Sequence, residues 1–244
     1  MKNSFYYNQL KSEEEKHTYL ALKRAVENHT LSISVSNSIS GEQISQAFLY
    51  MLLDSPDFFW TKGDFSLDEI MTIDGIERRI RLSYLYGEKE SQSIGKQIQE
   101  TLEEICDGLE TTTSQETVVR SIAAWFQKNV SYSVIPSADQ TIYSALVMRK
   151  SVCMGISKAI TLVLRLYGID NIVVMGTLFQ EGVHAWNMVC LDDTWYHLDV
   201  AADYKSFDRM WVAQGIQKRK LLILVKTEEL TETHSLHKRI IYPQ

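Results

Sequence analysis

Apolar residues recur every three or four positions along several segments of the chain, which is the spacing of one face of an α-helix. Two of these segments start with a capping box, a serine followed three residues later by Glu or Gln, at Ser12 and at Ser40. A third segment opens with Thr113-Ser-Gln-Glu116. The pattern therefore predicts helices over residues 13–28, 41–54, 94–109, 114–129, 139–149 and 152–167.

Alternation of apolar and polar residues predicts β-strands elsewhere in the chain. The strongest turn signal, Asp74-Gly75, separates two alternating segments, so we expect a β-hairpin over residues 67–86. A short strand is expected at residues 31–35. The region after residue 170 is rich in β-branched and apolar residues, which predicts further strands at 171–179, 183–191, 194–200, 210–213 and 221–226.

The loop between two of these strands fixes which residues face each other. The loop is Asp192-Asp193, and aspartate tolerates the positive φ that a two-residue hairpin requires. In that register Trp186 lies opposite Asp199, and His184 lies opposite Ala201. Directly opposed residues share one face of the sheet, so His184 and Asp199 become diagonal neighbours within side-chain reach. A register shift of one residue would separate them.

Cys153 is expected at the start of the helix over residues 152–167. Ser151 is a candidate N-cap and Gly168 a candidate C′ residue. A thiol in the first helical turn meets free N–H groups and the positive end of the helix dipole, which lower a thiol pKa when a basic group is also near. A buried thiol with no chemical role would be equally at home there.

A cysteine, a histidine and an aspartate in this order have a chemical use together. A thiolate needs a base that takes and returns its proton, and that base needs an acceptor on its second nitrogen. We assign Cys153 as the nucleophile, His184 as the general acid and base, and Asp199 as the group that orients His184. His197 lies on the same predicted face but only two residues from Asp199 on the same strand, so we rank it below His184. A core histidine and a hydrogen-bonded carboxylate at a strand end are the structural alternatives.

Three motifs carry a resemblance to a known family. They are Ser-Val-Cys-Met-Gly before a helix, His-Ala-Trp-Asn, and Trp-Tyr-His-Leu-Asp-Val. Together they resemble the transglutaminase-like superfamily in its microbial branch. The resemblance implies an α+β, papain-like fold, with the nucleophile helix packed on an antiparallel sheet after a helix-rich N-terminal region. The chain departs from the family pattern at Met154, where a polar residue is common, and at residues 201–203, where many members have Thr-Trp-Asp.

The resemblance also implies a reaction. Cys153 would form an acyl-enzyme on a peptide or isopeptide amide, and water or an amine would then release the acyl group. The Cys153 backbone N–H should hold the oxyanion, with Tyr143, Trp186 and Met154 as candidates to complete the oxyanion hole or wall the site. A different class of function stays open, namely a non-catalytic protein- or peptide-binding module that keeps the fold.

Composition narrows the choice of partners. The 244 residues are 45% hydrophobic, enough for a substantial core, and the formal net charge is −6. An acidic chain without a dense run of Lys or Arg argues against nucleic acid as the main partner. No apolar run approaches the roughly 20 residues of a membrane span. The expected partner is therefore a protein or peptide substrate, and the sequence gives no indication of the oligomeric state.

The cysteines indicate neither a disulfide framework nor a metal site. There are three, Cys106, Cys153 and Cys190, and none forms a CxxC pair. A site built from Cys153, His184, Cys190 and His197 is conceivable but lacks the spacing of zinc ligands. We expect neither a metal nor another cofactor.

The domain organisation and the compartment are expectations of the same kind. The best seam is the run of threonines at residues 111–113, which predicts an N-terminal α/β region over residues 1–112 and a catalytic core over residues 113–244. The first ten residues lead directly into a charged segment and lack the apolar stretch of a signal peptide. The sequence as it stands therefore predicts a cytoplasmic protein, or an exported one if a signal peptide originally preceded it.

Overall fold

Six α-helices lie in the residues that the computed structural model describes, which are 4–73, 75–109, 114–135, 138–178, 182–201 and 223–226. The helices are α1 (Glu13–Glu27), α2 (Gly41–Asp54), α3 (Glu88–Gly108), α4 (Gln115–Asn129), α5 (Ile142–Leu146) and α6 (Cys153–Leu166). None of these described helices has the length and apolar character needed to cross a membrane.

Two helices begin at the predicted N-caps, whereas other helices begin at residues that differ from the prediction. Both capping boxes are formed, because the Ser12 and Ser40 hydroxyls each accept an N–H from three residues on, at 3.1 Å. α4 has Ser114 as its N-cap. α5 covers only the middle of the predicted segment 139–149, because Thr141 caps it by accepting the N–H of Ser144 at 3.3 Å.

The first sheet contains the predicted hairpin. Its strands β1 (Ser32–Val35), β2 (Thr61–Thr72) and β3 (Gly75–Tyr84) are antiparallel in the order β1-β3-β2. β2 begins earlier than predicted, because an irregularity between Thr61 and Phe65, with Gly63 at φ +81°, lets pairing with β3 continue past it. Gly75 has φ +126°, a conformation that favours glycine, whereas Asp74 lies outside the described residues.

The second sheet carries the predicted site residues. It consists of β6 (Asn171–Leu178), β7 (Gly182–Leu191), β8 (Thr194–Asp199) and β9 (Ile223–Lys226), in that order and antiparallel throughout. Helix α6 packs against β6 and β7. Antiparallel sheets combined with helices confirm the α+β class. The predicted strand at residues 210–213 lies outside the described residues, as do the first two residues of the one at 221–226.

A short parallel pair was not predicted. Strand β4 (Ser131–Tyr132) lies beside β5 (Lys150–Ser151), with Tyr132 opposite Ser151. Two backbone hydrogen bonds fix the pair, Ser131 N–H to the Arg149 carbonyl at 2.9 Å and Ser133 N–H to the Ser151 carbonyl at 3.0 Å. The segment after α4 is thereby held next to the residues that lead into α6.

The chain forms two compact units, and the division falls after Lys96, inside α3. The first unit contains α1, α2 and the β1-β3-β2 sheet, and the second contains α4, α5, α6 and the four-stranded sheet. The sequence favours a boundary at residue 112 instead. Residues 111–113 lie outside the described residues, so that boundary stays a prediction.

Candidate active site

Cys153 lies in the first turn of α6, as predicted, but the helix begins at Cys153 itself and the cap before it differs. Val152 is the N-cap and makes no side-chain capping bond. Ser151, the predicted cap, is fully buried, and its hydroxyl donates to the Asp139 carbonyl at 2.7 Å. The Ser144 hydroxyl lies 2.7 Å from that of Ser151. Because the N-cap contributes no side-chain bond, the first N–H groups of α6 can bond to other groups beside the thiol.

The C-terminal end of α6 is formed as predicted. Gly168 has φ +67° and donates its N–H to the Arg165 carbonyl at 3.1 Å, while Ile169 donates to the Leu164 carbonyl at 3.0 Å. These two bonds form a Schellman motif, which satisfies the last carbonyls of the helix. The predicted C′ role of Gly168 is thus confirmed.

The first turn of α6 touches the α5 region so closely that only glycine fits at position 155. A Cβ placed on Gly155 would lie 2.2 Å from the Ser151 Oγ, 2.7 Å from the Asp139 carbonyl oxygen and 2.8 Å from that of Thr141. Two of these three atoms belong to the backbone and cannot rotate away. This contact fixes the position of the helix end that carries Cys153.

We expect Gly155→Ala to lower the free energy of unfolding by at least about 1–3 kcal/mol, the usual cost of overpacking a tight core. Gly95→Ala in α3 is the matched control, because nothing lies within 4 Å of its Cβ position. Replacing a helical glycine in open space should stabilise by roughly 0.5–1 kcal/mol. Urea denaturation of both variants measures the difference. Equal stability of Gly155→Ala and the wild type would contradict the described contact.

His184 and Asp199 meet across the hairpin in the predicted register. Leu191 pairs with Thr194 and Asn187 with Leu198, so the two-residue loop is confirmed. Nε2 of His184 lies 2.6 Å from Oδ2 of Asp199, and both side chains are buried, at 8% and 5% exposure. This contact leaves Nδ1 of His184 to face the thiol.

Further hydrogen bonds hold the Asp199 carboxylate and the strand β7, which carries His184. The second oxygen of Asp199 accepts the N–H of Ala201 at 3.0 Å, which fixes its rotation. Asn187, three residues after His184 on β7, is buried and donates to the Ser157 carbonyl at 3.0 Å and to the Thr161 hydroxyl at 2.9 Å. β7 is thereby tied to α6, and the imidazole is tied to the helix that carries the thiol.

The Cys153 thiol contacts the imidazole and two further donors. Its hydrogen-bond partners are the His184 side chain, the Ala185 backbone N–H and the Tyr132 hydroxyl. Burial alone would raise the pKa of Cys153, but these donors and the positive charge of His184 outweigh it and lower the pKa below its usual value. Burial likewise disfavours the charged imidazole, yet Asp199 and Cys153 raise the pKa of His184 to about 9. The pair therefore favours thiolate and imidazolium.

The surroundings of Cys190 shift the pKa of its thiol in the opposite direction. Burial and the neighbouring carboxylates, chiefly those of Asp193 and Asp170, raise the pKa of its thiol. All three cysteines are free. Cys153 and Cys190 thus differ in the direction of their pKa shifts, although both are half-buried.

Trp186 and His197 form a second pair on the same face of the sheet. The indole N–H of Trp186 donates to Nδ1 of His197 at 2.7 Å, and its ring stacks on His184 with centroids 6.0 Å apart. Trp186 can therefore wall the site, whereas its N–H is already engaged and is not offered to an oxyanion. His197 supports the indole, and the imidazole that contacts the thiol is that of His184.

The remaining predicted site residues lie nearby in the chain. Tyr143 belongs to α5, and Met154 is the second residue of α6 with 8% exposure, so its side chain is part of the core. Their roles in the site stay predictions. Within the part of the chain that the structure describes, no group of three His, Cys, Asp or Glu side chains could hold a metal ion, so Cys190 and His197 do not join the thiol in such a site.

Tyr132 is the site residue that the sequence did not reveal. It lies in a segment predicted only as extended, residues 130–135, and reaches Cys153 through the parallel pairing of β4 with β5. The available signal was an aromatic hydroxyl in an extended segment that follows a helix, which is too common a feature to single out.

Residues 99–200 match the core model of the transglutaminase-like superfamily. This segment contains the thiol, the imidazole and the carboxylate, and the resemblance predicted from the three motifs is confirmed over it. None of the curated proteins matches the sequence.

Solved structures give distant similarities. One is a crystal structure of a TGase, with 13% identity, a TM-score of 0.41, and 74% of this chain and 51% of that chain covered. Another is a candidate cysteine protease from Cytophaga hutchinsonii, with 13% identity, a TM-score of 0.37, and coverage of 68% and 66%. A candidate protease from Parabacteroides distasonis has 10% identity, a TM-score of 0.33, and coverage of 59% and 40%. The chain spans about half the length of the TGase that it matches.

Proposed function

We propose that the transglutaminase-like core in residues 99–200 is a thiol enzyme that forms an acyl-enzyme at Cys153 on a peptide or isopeptide amide. One observation carries this proposal. The Cys153 thiol is hydrogen-bonded to His184, and His184 is bonded through its other nitrogen to the buried carboxylate of Asp199. This is the arrangement of nucleophile, base and orienting group that covalent catalysis by a thiol requires.

The first half of the reaction forms a thioester. The Cys153 thiolate attacks the amide carbonyl carbon, and the carbonyl π electrons move to the oxygen, next to the N–H of Cys153. When the carbonyl re-forms, the carbon–nitrogen bond breaks and the imidazolium of His184 gives its proton to the leaving nitrogen. The amine departs, the acyl group stays on sulfur, and His184 is left neutral beside Asp199.

The second half regenerates the thiolate. Neutral His184 takes a proton from water or from an acceptor amine as that molecule attacks the thioester carbon. The carbon–sulfur bond breaks and the thiolate and imidazolium return. Water gives hydrolysis and an amine gives transfer, so one site supports both outcomes. Which of them prevails depends on whether an amine reaches the thioester before water does.

A glutamine-bearing peptide, offered with and without a primary amine, separates these outcomes. Amine incorporated into the peptide would identify acyl transfer, whereas release of ammonia with water as the sole acceptor would identify hydrolysis. The Cys153→Ala variant is the control for spontaneous deamidation. If neither product exceeds this control with any of a set of peptide and isopeptide substrates, the binding-module alternative would take the place of the enzyme.

We expect iodoacetamide at pH 6 to alkylate Cys153 well before Cys106 and Cys190. An ordinary thiol is less than about 1% thiolate at this pH. The pKa of Cys153 is lowered, so a larger fraction of it is ionised, whereas the pKa of Cys190 is raised. Alkylation of Cys153 should rise as pH passes its lowered pKa and then stay level.

Acyl transfer should fall as pH rises past about 9, because His184 then loses the proton that the leaving amine needs.

Peptide mapping after timed labelling measures the three rates, and the urea-unfolded chain serves as the control in which all three thiols should react alike. Equal reaction of the three cysteines in the folded protein at pH 6 would count against an activated nucleophile and in favour of a binding module.

A further inference from the structure

Tyr132 lies beside the thiol on a backbone that is fixed on both sides. Its strand β4 pairs with β5 so that Tyr132 lies opposite Ser151, two residues before Cys153. Ser151 is fully buried and bonded to the Asp139 carbonyl, so this side of the pair is anchored in the core. The distance between the Tyr132 backbone and the start of α6 is therefore set by main-chain pairing.

The hydroxyl of Tyr132 contacts two atoms of Cys153. It is hydrogen-bonded to the thiol, and it is also a hydrogen-bond partner of the Cys153 backbone N–H. The residue as a whole is 57% exposed. Burial of apolar surface therefore explains little of the position of this side chain.

These two contacts define the location of the hydroxyl relative to the reaction. When the thiolate bonds to a carbonyl carbon, the carbonyl oxygen comes to lie next to the sulfur and within reach of the Cys153 N–H. A group that contacts both atoms borders that position. An oxyanion held by one N–H alone has a second lone-pair direction to satisfy, and the indole N–H of Trp186 is already engaged by His197.

We propose that Tyr132 is a catalytic residue of the acyl-transfer reaction, and that its hydroxyl is the second donor to the oxyanion, opposite the backbone N–H of Cys153. In the resting site the hydroxyl accepts from that N–H and donates to the sulfur. As the tetrahedral intermediate forms, the sulfur loses its negative charge and the oxygen gains it, so the O–H turns from the sulfur to the oxygen. This assignment rests on the proposed function.

The ionisation of Tyr132 fits a donor. Burial, followed by the charge and hydrogen bond of Cys153, raises the pKa of the phenol above its usual value. The hydroxyl consequently keeps its proton throughout the pH range in which the thiolate and imidazolium coexist. If Tyr132 instead only blocked access to the thiol, removing its hydroxyl would speed up acyl transfer.

Two reactions of the same thiol separate these roles. Acylation by p-nitrophenyl acetate passes through an oxyanion: sulfur bonds to the carbonyl carbon and p-nitrophenolate leaves. Alkylation by iodoacetamide displaces iodide at a saturated carbon, and no charge develops on its carbonyl oxygen. We expect Tyr132→Phe to slow acylation of Cys153 on the order of 10²-fold, the lower end of the cost of one oxyanion donor, because an activated ester needs less stabilisation than an amide. Alkylation on its pH plateau should change far less.

Tyr196→Phe is the matched control. Tyr196 lies on β8 and alternates with His197, so its side chain is on the opposite face of the strand from the site residues. It should leave both rates at the wild-type value. Stopped-flow release of p-nitrophenolate gives the acylation rate, and timed labelling followed by peptide mapping gives the alkylation rate.

Each other outcome overturns a defined part of the proposal. If the folded wild type is acylated no faster than its unfolded chain, the proposed function is excluded, and the role of Tyr132 is excluded with it. If the wild type is acylated rapidly and Tyr132→Phe is acylated as fast or faster, only the catalytic role of Tyr132 is excluded. If both reactions slow equally, Tyr132 acts on the state of the thiol and not on the oxyanion.

Discussion

Replacing His184 with alanine is expected to lower acyl transfer by on the order of 10⁶-fold, the scale seen when a nucleophile loses its base. Two functions disappear together. The positive charge and hydrogen bond of the imidazole no longer lower the pKa of Cys153, so burial is opposed only by the Ala185 N–H and the Tyr132 hydroxyl, and the pKa of the thiol rises. The proton that the leaving amine requires is also missing.

The loss should appear in two assays at once. Hydrolysis or transfer should fall to the background of Cys153→Ala, and the preference of iodoacetamide for Cys153 at pH 6 should vanish. His17→Ala is the matched control, because His17 is an exposed histidine of α1 in the other unit. A His184→Ala variant that still labels Cys153 first at pH 6 would mean that another group activates the thiol.

Replacing Asp199 with asparagine is expected to cost about 10⁴-fold in acyl transfer while leaving the fold intact, since an equivalent change in a related triad has that effect through the wrong tautomer. The amide oxygen can still accept the N–H of Ala201, but the amide nitrogen would then face Nε2 of His184. Two donors cannot bond each other, so Nε2 must give up its proton. The proton moves to Nδ1, which is the nitrogen that must accept from the thiol.

Asp199→Asn also shifts the pH dependence, because the carboxylate is a main cause of the raised pKa of His184. The decline in activity that is expected near pH 9 should move to lower pH. Asp193→Asn is the matched control, since this hairpin aspartate is exposed and asparagine tolerates its φ of +61°. Full activity of Asp199→Asn, with an unchanged pH profile, would exclude the orienting role of the carboxylate.

The core of the candidate site was predictable because local signals fix it. The two-residue loop sets the register of β7 and β8, and a period of two then brings His184 and Asp199 to one face. Helical periodicity, with Gly168 as its end, sets α6 and its first residue Cys153. Each of these inferences depends on residues a few positions apart, and each is found in the structure.

The features that escaped prediction depend on contacts between distant segments. Ser151 looks like a helix cap by sequence, yet the close approach of α5 draws its hydroxyl to the Asp139 carbonyl and leaves Val152 as the cap. The approach itself depends on Gly155, whose missing side chain gives no periodic signal. Tyr132 reaches the thiol through a parallel strand pair of two residues, which is too short for any alternation to reveal.

The irregular start of β2 escaped for a related reason. Alternation predicts a strand only from residue 67, because Gly63 and the shift of register near Phe65 interrupt the pattern. The backbone nevertheless continues to pair with β3 as far back as Thr61. Sequence periodicity thus finds the regular part of a strand and misses the part beyond a bulge.

The most direct test of a covalent role for Cys153 is the mass of the protein during turnover of an activated acyl donor. After brief mixing with p-nitrophenyl acetate and an acid quench, peptide mapping should find one acetyl group, on the peptide that contains Cys153. It should be lost over time in the wild type and be absent in Cys153→Ala. Acetyl groups spread evenly over Cys106, Cys153 and Cys190, or none above the unfolded control, would contradict the account.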